Sequence, residues 1–131
     1  MTTRRAACSC GQLSLVAEGE PVRISLCHCL ACQRRTGSTY GMQARFPEEN
    51  VQIEGRSSEY ERISDHGDSR TFHFCPECGA TVYYRLAGVD AVAVPVGAFA
   101  DPTFPPPMIS VYESRRHAWV GVPEAIEHDD R

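Results

Sequence analysis

No segment of this sequence is long and apolar enough to be expected to cross a membrane. The opening residues, Met1-Thr2-Thr3-Arg4-Arg5-Ala6-Ala7, carry no apolar core ahead of Cys8, so no secretory leader is expected. The twin arginines lack the hydrophobic stretch of an export signal. Positive charge is not in excess: Lys+Arg number 13 against 17 Asp+Glu, a formal net charge of -4. That balance argues against nucleic acid as a partner, because a phosphate backbone calls for a broad basic face. The pairs Arg34/Arg35 and Arg115/Arg116 suffice for a small anion and no more. Repeats, low-complexity runs and a dividing linker are missing as well. The 131 residues therefore predict one domain with a modest core, cytoplasmic and without a membrane partner.

Gly and Pro punctuate the chain every ten residues or so, which predicts short strands joined by turns. Alternation marks strands over residues 12–17, 22–26, 39–46, 51–53, 58–63, 71–74, 81–86, 91–96 and 108–112. Pro95 inside the 91–96 run predicts an edge position or a bulge. One helical turn is expected from Leu30 to Arg35, stopped by Gly37. Pro105-Pro106-Pro107 reads as an extended connector. Trp119 reads as core, with a pocket beside His117 as the alternative. The polar tail over 123–131, with Asp129-Asp130, reads as loosely held and solvated. The class is mainly β, of short antiparallel strands with little helix.

The seven cysteines fall in three tight groups: Cys8/Cys10, Cys27/Cys29/Cys32 and Cys75/Cys78. An odd count at such spacings is poorly suited to disulfides and favours metal binding or redox chemistry. Cys8-Ser9-Cys10-Gly11 and Cys75-Pro76-Glu77-Cys78-Gly79 each end in a Gly directly after the second Cys. A Gly there permits the positive-φ turn that aims backbone N–H groups at sulfur. Two such turns together make a closed four-thiolate site of the kind that holds structural zinc, and tetrahedral thiolates also accept iron.

The central stretch Cys27-His28-Cys29-Leu30-Ala31-Cys32 offers three thiolates and no obvious fourth ligand. His28 points away from its neighbours if the chain is extended there, making it a support for the ligands rather than one of them. Catalytic zinc sites keep three protein ligands and one open position. A thiol taking that position would be bound as thiolate, a nucleophile at neutral pH. Arg34 and Arg35 could offset the charge or hold a carboxylate of the thiol substrate. The competing assignment is a second structural zinc completed by His66, His73 or a partner chain. His73, between Phe72 and Phe74, is expected to face outward from its strand.

The ordered set Cys8-x-Cys10-Gly11, then Cys27-His28-Cys29-x-x-Cys32-x-Arg34, then Phe72-x-Phe74-Cys75-x-x-Cys78-Gly79 resembles the glutathione-dependent formaldehyde-activating enzyme family, which includes centromere protein V relatives. Gly37-Ser38 and the stretch from Pro107 to Trp119 resemble it too. The resemblance implies a Mss4-like (β-tent) zinc-binding fold over about residues 7–120. It implies structural zinc on Cys8, Cys10, Cys75 and Cys78, and catalytic zinc on Cys27, Cys29 and Cys32. It also implies a carbon-sulfur lyase that adds glutathione, or a similar small thiol, to formaldehyde or another aldehyde. The three-ligand zinc is the one expected to be lost or oxidised first. A non-catalytic thiol carrier or interaction scaffold is the main alternative. A methionine sulfoxide reductase ranks last, because a four-plus-three division leaves no reactive Cys outside the metal sites.

Overall fold

Strands form wherever the sequence alternates, and they are short because glycine turns interrupt them. The computed structural model describes residues 1–130. Its elements are β1 (Thr3–Ala7), β2 (Ser14–Glu18), β3 (Arg23–Cys27), α1 (Leu30–Thr36), β4 (Gly41–Pro47), β5 (Val51–Glu54), β6 (Ser58–Ile63), β7 (Ser69–Phe74), β8 (Thr81–Leu86), β9 (Ala91–Pro95), β10 (Ile109–Val111) and β11 (Glu127–His128). The class is mainly β, as the alternation predicts, and α1 is stopped at Gly37 by a left-handed turn at φ 69°. No helix among the described residues is long and apolar enough to cross a membrane.

The chain divides into two compact units. The first joins Met1–Val22 to Ala44–Phe104; the second joins Arg23–Gln43 to the residues from Pro105 onward. In the first unit β1, β2 and β5 form an antiparallel sheet, with Thr3 opposite Glu18 and Ser14 opposite Glu54. Leu13, Leu15 and Ala17 are buried there. Strands β6, β7, β8 and β9 lie side by side in that order. Phe72, Tyr84, Leu86 and Ala93 form a core cluster, with the Phe72 and Tyr84 rings 4.8 Å apart. β6, outermost, presents Glu59 and Glu61 to solvent, charges that discourage edge-to-edge pairing.

Several expectations are revised. Pro95 does not mark an edge; it ends an interior strand and opens the 3-10 turn Val96–Phe99. Trp119 is 75% exposed, and the apolar patch around it buries Val120 instead. His73 is buried rather than outward, because Tyr83 lies opposite in register and stacks on its ring at 4.3 Å.

Not every strand pair is antiparallel. In the second unit β10 runs parallel to β3, with Ile109 opposite Ser25 and Val111 opposite Cys27. The polar tail, of which Arg131 lies outside the described residues, is tied down rather than loose. Within it β11 pairs parallel with β10, and the Asp129 N–H donates to the Ser110 carbonyl at 2.9 Å.

Two candidate metal centres

The first centre lies in the first unit. The turns after β1 and β7 bring the sulfurs of Cys8, Cys10, Cys75 and Cys78 within 4.8 Å of one another. Cys8 to Cys10 is 3.6 Å and Cys10 to Cys75 is 3.7 Å. A zinc–sulfur bond of about 2.3 Å gives a tetrahedron edge of about 3.8 Å, so this sulfur spacing fits zinc. Gly11 and Gly79 have φ of 85° and 81°, as the Cys-Gly pattern predicts. Backbone N–H groups reach sulfur from Leu13 to Cys8 and from Glu77 to Cys75, both at 3.3 Å.

Gln12 completes this centre, and local pattern did not flag it. Its amide donates to Cys75 Sγ at 3.0 Å and to the Arg56 carbonyl at 2.8 Å, while its Oε1 accepts from Arg56 N–H at 3.0 Å. Gly55 permits this approach: a Cβ there would lie 2.0 Å from the Gln12 carbonyl oxygen. For Cys75, burial opposes ionisation, but the Gln12 amide and the Cys78 and Glu77 N–H groups outweigh it and bring the thiol down to about 6. Cys10 goes the other way, to about 11. The Gln12 backbone N–H lowers it, while the Cys8 and Cys75 sulfurs and desolvation raise it. One preset thiolate among crowded thiols is a donor set that a cation would complete.

The second centre lies in the second unit. Cys27 ends β3, Cys29 caps α1, and Cys32 sits in its first turn. Cys29 Sγ accepts the Cys32 N–H at 3.3 Å. The three sulfurs lie within 4.8 Å of one another, and no fourth His, Cys, Asp or Glu joins the set among the described residues. Neither His66 nor His73 is brought to it. Cys27 and Cys32 are buried and Cys29 is half-buried. The Cys29 and Cys32 sulfurs, and then burial, push the Cys27 thiol far up. Cys32 is lowered by Cys27 but raised more by Cys29 and by burial, with Arg35 pulling against the rise. Three thiols so placed cannot all ionise without a cation to share.

Arg35 is half-buried beside this set and Arg34 is exposed. Gly41 lies against both Cys32 and Arg35: a Cβ there would be 3.3 Å from Arg35 Nη2 and 3.5 Å from Cys32 Sγ. All 13 basic residues are arginine, and the chain contains no lysine.

His28 is fully buried. Its Nε2 pairs with Ser110 Oγ at 2.9 Å, and its carbonyl accepts from Gln33 Nε2 at 2.8 Å. Its Nδ1 has no partner among the described residues. Burial, helped by Arg116 and opposed by Glu113, lowers its pKa, so the ring is neutral at pH 7. Gln33 also donates to the Arg115 carbonyl at 3.2 Å and accepts from His117 at 2.9 Å. His117 and Trp119 meet edge to face at 5.9 Å. Gln33 was legible only as a neighbour of Cys32, and Ser110 carried no local signal.

A family model described as glutathione-dependent formaldehyde-activating enzyme matches residues 3–115. A crystal structure of a Rhodobacter sphaeroides protein has a similar fold, with a TM-score of 0.58 and 18% identity, covering 78% of this chain and 91% of that one. At that identity the likeness is one of fold. No curated protein matches the chain in sequence.

Proposed function

Because the chain belongs to the glutathione-dependent formaldehyde-activating enzyme family, we propose that it is a carbon-sulfur lyase joining a small glutathione-like thiol to an aldehyde such as formaldehyde. The observation that carries this reading is the second sulfur set, one ligand short of four, with an arginine at its edge. In this reading Cys8, Cys10, Cys75 and Cys78 hold a structural zinc, and Cys27, Cys29 and Cys32 hold the catalytic one. Zinc on three thiolates supplies an open position at which a thiol gives up its proton.

The chain's own residues do the rest. Arg35 sets a guanidinium against the negative charge of the three thiolates and can take a carboxylate of the thiol substrate bidentately. Arg34, on the outer side of α1, can reach the same substrate from solvent. Gly41 leaves uncrowded the space that a side chain would press against Cys32 and Arg35. The substrate sulfur attacks the aldehyde carbon, a C–S bond forms, and the carbonyl π pair moves onto oxygen. That oxygen takes a proton from water. His28, buried and neutral, holds the junction of β3 and α1 in place.

Elemental analysis of freshly purified protein is expected to give two zinc per chain, with glutathione protecting one from chelation. The loaded protein is expected to consume formaldehyde only when a small thiol is present, and Cys29→Ser to abolish this. No thiol-dependent consumption, together with unchanged thiol protection in Cys29→Ser, would sink the proposal.

A further inference from the structure

An exposed tryptophan is held in place beside the three-cysteine set. Trp119 is 75% exposed, yet the turn that carries it is fixed. The Val120 N–H donates to the His117 carbonyl at 2.9 Å, the Arg116 guanidinium donates to the Val120 carbonyl at 2.7 Å, and the Val120 side chain is buried. The Trp119 ring meets the His117 ring edge to face at 5.9 Å. His117 Nε2 pairs with Gln33 Oε1 at 2.9 Å, and the Gln33 amide donates to the His28 carbonyl at 2.8 Å. One ring contact and two hydrogen bonds thus lead from Trp119 to the peptide that joins His28 to Cys29. Two more exposed apolar side chains stand at the same place. Leu30 is 61% exposed, follows Cys29 directly and lies one helical turn from Gln33 on α1. Tyr40 is exposed as well, and its ring lies 6.1 Å from that of His28.

A large apolar side chain left in water forgoes the stabilisation that burial brings, so several of them gathered at the rim of a site point to a ligand with a matching surface. Formaldehyde has no such surface. In the proposed reaction Arg34 and Arg35 receive the charged end of the thiol, which leaves the apolar rim to the aldehyde. We propose that Leu30, Tyr40 and Trp119 are specificity-determining residues that receive the alkyl or aryl group of the aldehyde, so that a longer apolar aldehyde is preferred over formaldehyde. The inference rests on the lyase reading above for the identity of this ligand, and on the arrangement of side chains alone for the apolar site. One methylene in an enclosed apolar pocket is worth about 10–200-fold in discrimination. An open rim buries less of each carbon, so about tenfold over a six-carbon chain is the effect expected.

Two measurements on the whole chain test it. Trp119 is the sole tryptophan, so its emission reports on the rim directly. Titration with 1-hexanol, which has the carbon chain and no carbonyl, is expected to give a saturable blue shift, with none from ethanol at equal concentration. Leu30→Ala should raise the hexanol midpoint about fivefold. In thiol-dependent aldehyde consumption, kcat/KM for hexanal is expected to exceed that for acetaldehyde by about tenfold, chiefly through KM, and Trp119→Ala should bring that ratio close to one. The absence of a saturable shift with hexanol overturns the proposal, as does a midpoint that Leu30→Ala leaves unmoved. So does a hexanal-to-acetaldehyde ratio near one in the wild type, or a ratio that Trp119→Ala leaves unchanged. A blue shift that grows with protein concentration and ignores hexanol assigns the rim to a second copy of this chain and overturns it too. If no aldehyde is consumed with any thiol, the lyase reading falls, and the hexanol titration alone decides the apolar site.

Discussion

Gln12 and Arg35 act on sulfur from outside the two cysteine sets. Gln12 ties one turn to the other through Cys75 and both polar atoms of the Arg56 backbone. With the proposed zinc at Cys8, Cys10, Cys75 and Cys78, Gln12→Ala is expected to speed its capture by a chelator about tenfold, with the other site unchanged. Arg35→Ala is expected to raise KM for a carboxylate-bearing thiol by about tenfold, roughly one charge-assisted hydrogen bond, with a smaller change in kcat. At this scale the sequence is informative where chemistry is local. The seven cysteines, Gly11, Gly79 and Arg35 stand inside recognisable spacings. Gln12 and His28 meet their partners 63 and 82 residues away, and no local pattern encodes such pairs.

Strands with one buried face were legible because their side chains alternate; β8 spans the predicted residues 81–86. β1, with Thr-Arg-Arg at its start, carries too little alternation to be read. β11 has two residues and exists through its pairing to β10. Its tether is pH-sensitive. Hydrogen bonding to Glu113 raises His128 above its ordinary value. Burial pushes Glu113 up, but His128 and Ser110 outweigh that and hold it below the usual carboxylate value. The His128 contribution is therefore complete below its unfolded pKa, about 6.5, and is lost as pH rises through the raised folded value. The Glu113 contribution is complete above its unfolded pKa, about 4.3, and is lost as pH falls through the lowered folded value. The protection factor of the Asp129 amide should accordingly peak between about pH 4.3 and 6.5 and fall on the alkaline side. In His128→Ala the alkaline fall should disappear.

At the scale of the molecule, each compact unit holds one sulfur set. The sequence hid this division because the second unit is assembled from two distant pieces, 23–43 and the residues from 105. Cys10 and Cys75 lie 65 residues apart, so a metal joining them constrains the unfolded chain. By the chain-entropy estimate for a crosslink of that length, Cys75→Ser should lower stability by about 4 kcal/mol, seen as a reduced denaturant midpoint. Cys29→Ser closes no comparable loop and should move that midpoint far less. The absence of lysine makes a separate prediction. Formaldehyde with a mild reductant should leave no methylated side-chain amine on this protein, as peptide mass mapping would show. Under the proposed lyase reading, the aldehyde substrate meets no lysine side chain to modify.

The parallel pairing of β3 with β10 sets an order of assembly. Ser110 is synthesised 82 residues after His28, the residue between Cys27 and Cys29. At about 5–20 residues per second, a ribosome needs about 4–16 s to cover that distance. For those seconds the nascent chain displays three bare thiols beside an unpaired strand edge. Metal supply and thiol protection during translation therefore bear on the yield of the second centre, and expression in zinc-poor medium should lower its occupancy first.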